Sequence, residues 1–426
     1  MTFGSSVAPR FSVAVPVFNH ERFVGETVAS AFGQDYEGLE VLISDNASTD
    51  RSREVAVAAS GGRAIVASNA TNIGFAANLD RAVALGTAPF VMLVSSDDRM
   101  QPNALSTYAR LLDLGRELVE ERVPRSLPER TFRRLLRFAL VDRDRFALLA
   151  RLGRPFRALL PERLRGGLPA HAPAASPPPA KITAPRRTVL LLQGCVQPTL
   201  RPEIDSAATR LLARLGVATR SVPQAGCCGA IDHHMAAPAD ALSRIRRNVD
   251  AWYPELEAGA DALLVTASGC GAMVKEYGHL LRDDPAYAER AARVAAAARD
   301  PAELFGELDL APLGRPGEGR RIAFHAPCTL QHGQKLPGIT EALLTGLGFE
   351  LTPVADAHLC CGSAGTYSVL QPELSQQLRT HKLANLETHG PELIASANIG
   401  CLHHLEAGTS TRVVHWLELV AERLSA

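Results

Sequence analysis

Residues 222–234 read VPQAGCCGAIDHH, and residues 358–374 read HLCCGSAGTYSVLQPEL. Each stretch carries a vicinal cysteine pair followed by glycine, Cys227-Cys228-Gly229 in one and Cys360-Cys361-Gly362 in the other. Moving outward, a further cysteine precedes the first member of each pair by 32 positions, Cys195 and Cys328. Another follows the second member, Cys270 after 42 positions and Cys401 after 40. The copies are therefore offset by 133, 133 and 131 residues. Their flanks agree, because VLLLQGC (189–195) and IAFHAPC (322–328) both place the leading cysteine after a strand-like run. Two copies of one α/β unit, related by pseudo-twofold symmetry, are the simplest reading.

All eight cysteines lie at or after Cys195. In a reducing cytosol, cysteines clustered in this way are metal ligands or redox groups more often than disulfides. Each repeat supplies four thiols: Cys195, Cys227, Cys228 and Cys270, then Cys328, Cys360, Cys361 and Cys401. Four thiolates complete a tetrahedral or cuboidal shell around a soft or borderline metal. Gly229 and Gly362 allow close backbone approach or a positive φ beside the thiols. The competing readings are small buried cysteines with no ligand role and a structural zinc site in one repeat.

The segments QGCVQPTLRPEID (193–205), TASGCGAMVKEYGHLL (266–281), FHAPCTLQHGQKLP (324–337) and SANIGCLHHL (396–405), with the two pairs above, resemble the CCG cysteine-rich domain. That domain occurs twice in a subunit of heterodisulfide reductase and in iron–sulfur subunits of glycolate and related oxidases, and the likeness is nearest to the latter. The arginine-rich run YARLLDLGRELVEERVPRSLPER (108–130) also looks like this family, so the resemblance spans roughly 106–426. It implies iron–sulfur electron transfer with clusters of the 4Fe-4S type, flavin (FAD) partner subunits, and 2-hydroxy-acid oxidation on a separate subunit. Two departures stand out. The general pattern ends in Cys-x-x-Cys, whereas only Cys270 and Cys401 stand at that place here. The family also normally begins with a ferredoxin-like module carrying Cys-x-x-Cys-x-x-Cys-x-x-x-Cys-Pro runs, and this sequence contains no such run.

Residues 1–105 read differently. Strands are expected at Phe11–Val17, Glu40–Ser44, Ala64–Ala67 and Phe90–Val94, with helices at Glu21–Phe32, Thr49–Ala59 and Gly74–Leu85. Such alternation predicts βαβ units and a mainly parallel sheet. The segments at 13–50, NIGFAANLDRAV (72–83) and VMLVSSDDRMQPNAL (91–105) resemble the front half of a family 2 glycosyltransferase of the GT-A fold. The resemblance implies that Pro16 and Asn19 line a nucleotide pocket and that Asp45 reads the base. It puts Asp97 and Asp98 at the Asp-x-Asp position, which would hold Mn²⁺ or Mg²⁺, with Ser95 in the first acidic place. This likeness ends near Leu105, ahead of the acceptor half of that fold.

Between these parts, Arg110–Arg165 holds 15 Arg, no Lys and 8 acidic residues in a helical pattern punctuated by prolines. It is either a solvated helical face or a surface for a partner subunit or an anionic membrane. Residues 166–187 carry six prolines and read as an extended linker. The CCG repeats then occupy about 188–312 and 320–426. Lys+Arg and Asp+Glu are 45 each, so the chain has no bias toward nucleic acid. The apolar start is short and broken by Pro16, and no apolar run is long enough to span a membrane. A cytoplasmic protein, peripheral to the inner membrane at most, is the expectation. His233-His234 and His403-His404 follow the cysteine motifs and could ligate or tune a cluster, but surface or capping roles are preferred. The plainer, non-ligand reading is preferred for His325, His332 and Lys335 as well. Trp252 and Trp416 are read as core or interface residues. The favoured function is an iron–sulfur electron-transfer subunit of a glycolate oxidase complex lacking the ferredoxin-like module. The alternatives are nucleotide-sugar binding by the N-terminal part and a non-functional chimera joined near Asn103–Tyr108.

Overall fold

The computed structural model describes residues 11–36, 39–88, 90–105, 122–123, 125–159 and 185–425. The apolar run Leu111–Val119 and nearly all of the proline-rich linker lie outside these residues. The chain forms two compact units, residues 1–124 and 125–426.

The first unit holds strands β1 (Phe11–Val17), β2 (Leu39–Asp45), β3 (Ile65–Ser68) and β4 (Phe90–Leu93). They pair in parallel in the order β3-β2-β1-β4. Helices Val24–Phe32, Ser52–Ser60 and Phe75–Ala84 connect them, within a few residues of the pattern expected. Every residue of β1 is buried, as befits a central strand covered on both faces. Val13, Val15, Val28, Val41 and Ile43 form much of the core. On β4, Phe90, Val91 and Leu93 are each more than a third exposed, so this edge strand keeps apolar surface that is open among the described residues.

The second unit contains two four-stranded parallel sheets of identical topology. Strands β5 (Arg187–Leu191), β6 (Val217–Ser221), β7 (Ala262–Leu264) and β8 (Ala298–Arg299) are ordered β6-β5-β7-β8. Strands β9 (Arg321–His325), β10 (Glu350–Leu351), β11 (Leu393–Ser396) and β12 (Val413–His415) are ordered β10-β9-β11-β12. The sequence repeat is thus a structural repeat. In each copy the strand order reverses direction beside the first strand, where open α/β sheets place their ligands, at the carboxyl ends.

The repeats share one core. A single buried cluster runs from Leu191, Ile204 and Leu211 of the first copy to Leu344, Ile394 and Trp416 of the second. Trp416 meets Phe305 edge-on at 5.5 Å between ring centres, and Trp252 fills the first copy's other face. Helices Leu127–Leu140 and Arg143–Gly153, from the arginine-rich stretch, belong to this unit. Ser126 and Asp142 cap them by accepting from the amides of Glu129 and Arg145. Phe146 anchors the second of these helices in the shared core.

Two buried carboxyls give this unit a pH signature. Asp205 accepts from Gln197 and Thr266, each at 2.7 Å, and burial still pushes its carboxyl up to about 7. Asp300, which caps helix Pro301–Gly306, is likewise pushed up by burial to about 7. Both would sit near 3.8 when unfolded, so between those values the folded chain binds more protons than the unfolded one. Their share of stability is complete at acid pH and declines as pH rises toward 7. The double variant Asp205→Asn/Asp300→Asn is expected to flatten that decline, read as denaturant-unfolding free energy at pH 4.5 to 7.5.

Candidate metal centres

In each repeat the carboxyl ends of the first three strands present the thiols. Cys195 and Cys328 lie just beyond β5 and β9, and the vicinal pairs lie on the loops after β6 and β10. Cys270 and Cys401 sit in the first turn of helices Ser268–Lys275 and Ile399–Glu406, after β7 and β11. Gly229 and Gly362 take φ of +91° and +90°. This left-handed turn lets the loop fold back so that both thiols of each pair face one centre.

All four sulfurs of the first quartet interact. The thiols of Cys195 and Cys228 donate to Cys227, and with the Gly229 amide and the Arg244 guanidinium they hold the Cys227 thiol well below its ordinary value. The donors Cys195 and Cys228 are pushed up by those contacts and by burial, and Cys270 lies against Cys228. The second quartet repeats the pattern. Cys328 Sγ lies 3.9 Å from Cys360 Sγ, and the Gly362 amide donates to Cys360 Sγ at 3.3 Å. Donation from Cys328 and Cys361 lowers the Cys360 thiol, and Cys361 with His325 lowers Cys401. Sites that favour the thiolate of one cysteine among buried neighbours fit soft-metal or cluster binding.

The supports differ between copies. In the first, Asn248 donates to the Cys227 carbonyl at 2.9 Å and accepts from the Gly226 amide at 2.9 Å. Tyr277 donates to the Cys228 carbonyl at 2.8 Å. In the second, on the equivalent helix, the buried Lys382 amine donates to the carbonyls of Asp356 and Ala357 at 3.0 and 2.9 Å. The first quartet is also roofed. Val141 packs on Cys195 and Cys227, at the end of helix Leu127–Leu140. That helix is fastened by Asp232, 1% exposed, which accepts from Arg137 at 2.9 Å and from Arg244 at 2.6 Å. Cys270 of the first quartet and Cys328 and Cys360 of the second remain half-buried.

The two cysteine helices meet end to end. Ser268 N donates to the Ala397 carbonyl at 3.1 Å. Asn398 accepts from Gly269 N at 3.3 Å, beside Cys270, and donates to Cys401 Sγ at 3.4 Å. No local signal in the sequence marks this bridging asparagine, nor Val141, Asp232, Asn248 or Lys382. Their roles depend on contacts between distant segments. The paired histidines form no ligand cluster among the described residues. His404 instead contacts Ser375 Oγ at 3.0 Å, and burial lowers His403 to about 4. His332 is exposed near the His358 carbonyl. The ring of His325, read above as a non-ligand residue, lies within 4.8 Å of the Cys361 and Cys401 sulfurs.

In the first unit, the residues singled out lie at the carboxyl edge of its sheet. Asp45 ends β2, buried, and its carboxylate accepts from Ser48 N at 3.4 Å. Pro16 is buried in β1, and Asn19 accepts from Thr49 N at 2.8 Å. Asp97 and Asp98 are exposed after β4, and Ser95 donates its hydroxyl to Asp97, lowering that carboxyl. Among the described residues of this unit, no group of three potential metal ligands comes together.

Comparison with known proteins accords with both halves of this picture. Residues 12–163 match the family described as "Glycosyl transferase family 2", a match that runs past Leu105. Residues 189–275 and 322–406 match "Cysteine-rich domain", so the second unit is a paired CCG module. The "Glycolate oxidase iron-sulfur subunit" of Escherichia coli (strain K12) is 49% identical over 318 residues, 74% of this chain and 77% of that protein. The chain belongs to that family of iron–sulfur subunits. The "Probable glycolate oxidase iron-sulfur subunit" of Bacillus subtilis (strain 168) is 26% identical over 74% of this chain and 78% of its own length. "Lactate utilization protein A" of Geobacillus thermodenitrificans (strain NG80-2) is 30% identical, with 99% of its length matched by 55% of this chain.

Three variants test the geometry. A β-carbon on Gly362 would stand 2.4 Å from the Ser375 carbonyl oxygen, whereas one on Gly229 meets nothing closer than 3.4 Å. Gly229→Ala is expected to cost about 1–2 kcal/mol from backbone strain alone, and Gly362→Ala about 3 kcal/mol or more, compared by denaturant unfolding. Asp232→Ala leaves Arg137 and Arg244 without their shared carboxylate. It is expected to cost about 3 kcal/mol and to speed thiol-reagent labelling of Cys195 and Cys227 in metal-free protein.

Proposed function

We propose that this chain is the electron-carrying iron–sulfur subunit of a complex that oxidises glycolate, with Cys195, Cys227, Cys228 and Cys270 holding one cluster and Cys328, Cys360, Cys361 and Cys401 the other. The observation that carries the reading is the convergence of two separated cysteine sets, at equivalent carboxyl edges of two equivalent sheets, into two thiol quartets. A bound cluster would take up and release single electrons. The chain's own residues bury the thiols, hold some of them as thiolates and shape the surroundings. Asn398 links the two sites by hydrogen bonds, so they are neighbours and not isolated centres. Val141 and its helix shield Cys195 and Cys227 of the first site, while the second, with two half-buried thiols against one, is the one that faces a partner. Substrate oxidation itself takes place on that partner, a flavin subunit, which accepts the two electrons and two protons released when a 2-hydroxy acid becomes a 2-oxo acid.

The relative named for lactate utilization supports the sufficiency of the CCG pair. Nearly its whole length corresponds to little more than half of this chain, so two CCG repeats stand as a protein there. Lactate and glycolate are both 2-hydroxy acids, and the shared scaffold suits a shared electron-transfer step. The arginine-rich helices offer cationic surface for the partner. Among the described residues, no helix is long and apolar enough to cross a membrane.

The test is metal and sulfide analysis of anaerobically purified chain. Iron with acid-labile sulfide is expected, and Cys227→Ser and Cys361→Ser are each expected to lose about half of both while keeping the remainder. Absence of iron and sulfide after reconstitution would end this reading.

A further inference from the structure

His325 ends β9 and is 1% exposed. Neither ring nitrogen has a nitrogen or oxygen hydrogen-bond partner, and the polar neighbour the ring does engage is the Cys401 sulfur. Burying an imidazole whose nitrogens find no nitrogen or oxygen partner costs free energy. The other deeply buried histidine nearby shows the ordinary solution. His415 Nε2 pairs with the Thr266 carbonyl at 3.1 Å, and its Nδ1 accepts from Leu417 N at 3.2 Å. His325 is held in place by its backbone, since Ser396 Oγ donates to its carbonyl at 3.0 Å. Its ring is left facing two buried sulfurs, Cys361 and Cys401, with all three ligand atoms within 4.8 Å of one another.

The first repeat differs at this point. Its first strand aligns with β9 through the cysteine offset of 133, so the residue equivalent to His325 is Leu192. Leu192 is also buried, and it packs with Cys228 in an apolar cluster. The scaffold therefore accepts an apolar side chain here, and packing does not require an imidazole. Thiolate and imidazole ligands of a single tetrahedral ion stand roughly 3.5–3.8 Å apart, given metal–sulfur bonds near 2.3 Å and metal–nitrogen bonds near 2.0 Å. The spacing of His325, Cys361 and Cys401 needs only a small contraction to reach that shell.

We propose that His325 is a nitrogen ligand of the second metal centre, joining Cys361 and Cys401 in one coordination shell. The second centre is then a mixed imidazole–thiolate site, while the first is held by thiolates alone. The inference deepens the electron-transfer reading and rests on the quartets being metal centres. Its chemical consequence is asymmetry: an imidazole donor in only one of the two shells sets the two centres at different potentials.

The test uses the full chain, stripped of metal and loaded with Co²⁺ alone. This requires neither iron nor sulfide, so its outcome is separate from that of the cluster analysis. Sulfur-to-cobalt charge-transfer absorption reports loading, and X-ray absorption with pulsed EPR reports imidazole nitrogen bound to cobalt. Wild-type chain is expected to show directly coordinated imidazole nitrogen. His325→Leu, which copies the first repeat, is expected to lose that signal while keeping the first site's sulfur-bound cobalt. His325→Cys is expected to restore full loading with sulfur coordination only, which separates lost ligation from a failed fold. Wild-type chain that binds Co²⁺ through sulfur alone, that binds none, or whose nitrogen signal survives in His325→Leu overturns the assignment.

Discussion

Two vicinal cysteines on an extended strand would point to opposite sides of the chain. To aim both thiols at one centre, the backbone must leave that geometry immediately after the pair, and here it does so with a glycine at φ near +90° in each copy. The CCG turn is the constraint on which both sites depend. Once it forms, the leading cysteine at the end of the first strand and the trailing one in the helix after the third strand complete the set. These positions are already close, because parallel strands in this order bring their carboxyl ends together. Gly362 is the tighter case, because the Ser375 carbonyl oxygen leaves no space for a side chain there.

One scaffold used twice has been furnished differently. Asn248 and Tyr277 clamp the first cysteine loop through neutral hydrogen bonds. The equivalent helix of the second copy uses the ammonium of Lys382, buried against loop carbonyls, which adds positive charge beside thiols that must ionise. Val141 and the Arg137–Asp232–Arg244 cluster cover Cys195 and Cys227 of the first quartet, whose Cys270 is half-buried as Cys328 and Cys360 are in the second, and Leu192 is exchanged for His325. If both quartets hold clusters, such differences would bias electron flow between them, because burial, charge and donor type each shift a potential. The hydrogen bonds through Asn398 tie the asymmetric pair together.

The N-terminal unit is governed by other constraints. Its four parallel strands bury a continuous apolar layer, and the order β3-β2-β1-β4 puts Asp45, Asn19 and the Asp97 loop at one edge. Within that edge, side chains satisfy one another: Asn46, Asn69 and Asn78 form a buried amide network, and Ser95 engages Asp97. Among the described residues, Phe90, Val91 and Leu93 leave apolar surface open on β4.

Much of this was legible in the sequence, because it is written in local spacing. The equal 32-residue intervals, the two Cys-Cys-Gly runs and the strand-like residues before Cys195 and Cys328 set the duplicated α/β architecture and the eight thiols. Alternating apolar runs set the N-terminal sheet, because hydrophobic period reports secondary structure directly. What the sequence alone could not decide is how distant segments meet. Val141 over Cys195, Asp232 between two arginines and Asn398 between the two centres are products of packing between elements far apart in the chain. His325 is the sharpest case. As one histidine shortly before a Pro-Cys it could face a cluster but reads more simply as a structural residue, and only the folded chain leaves its ring sealed from water, without a nitrogen or oxygen partner, against two sulfurs.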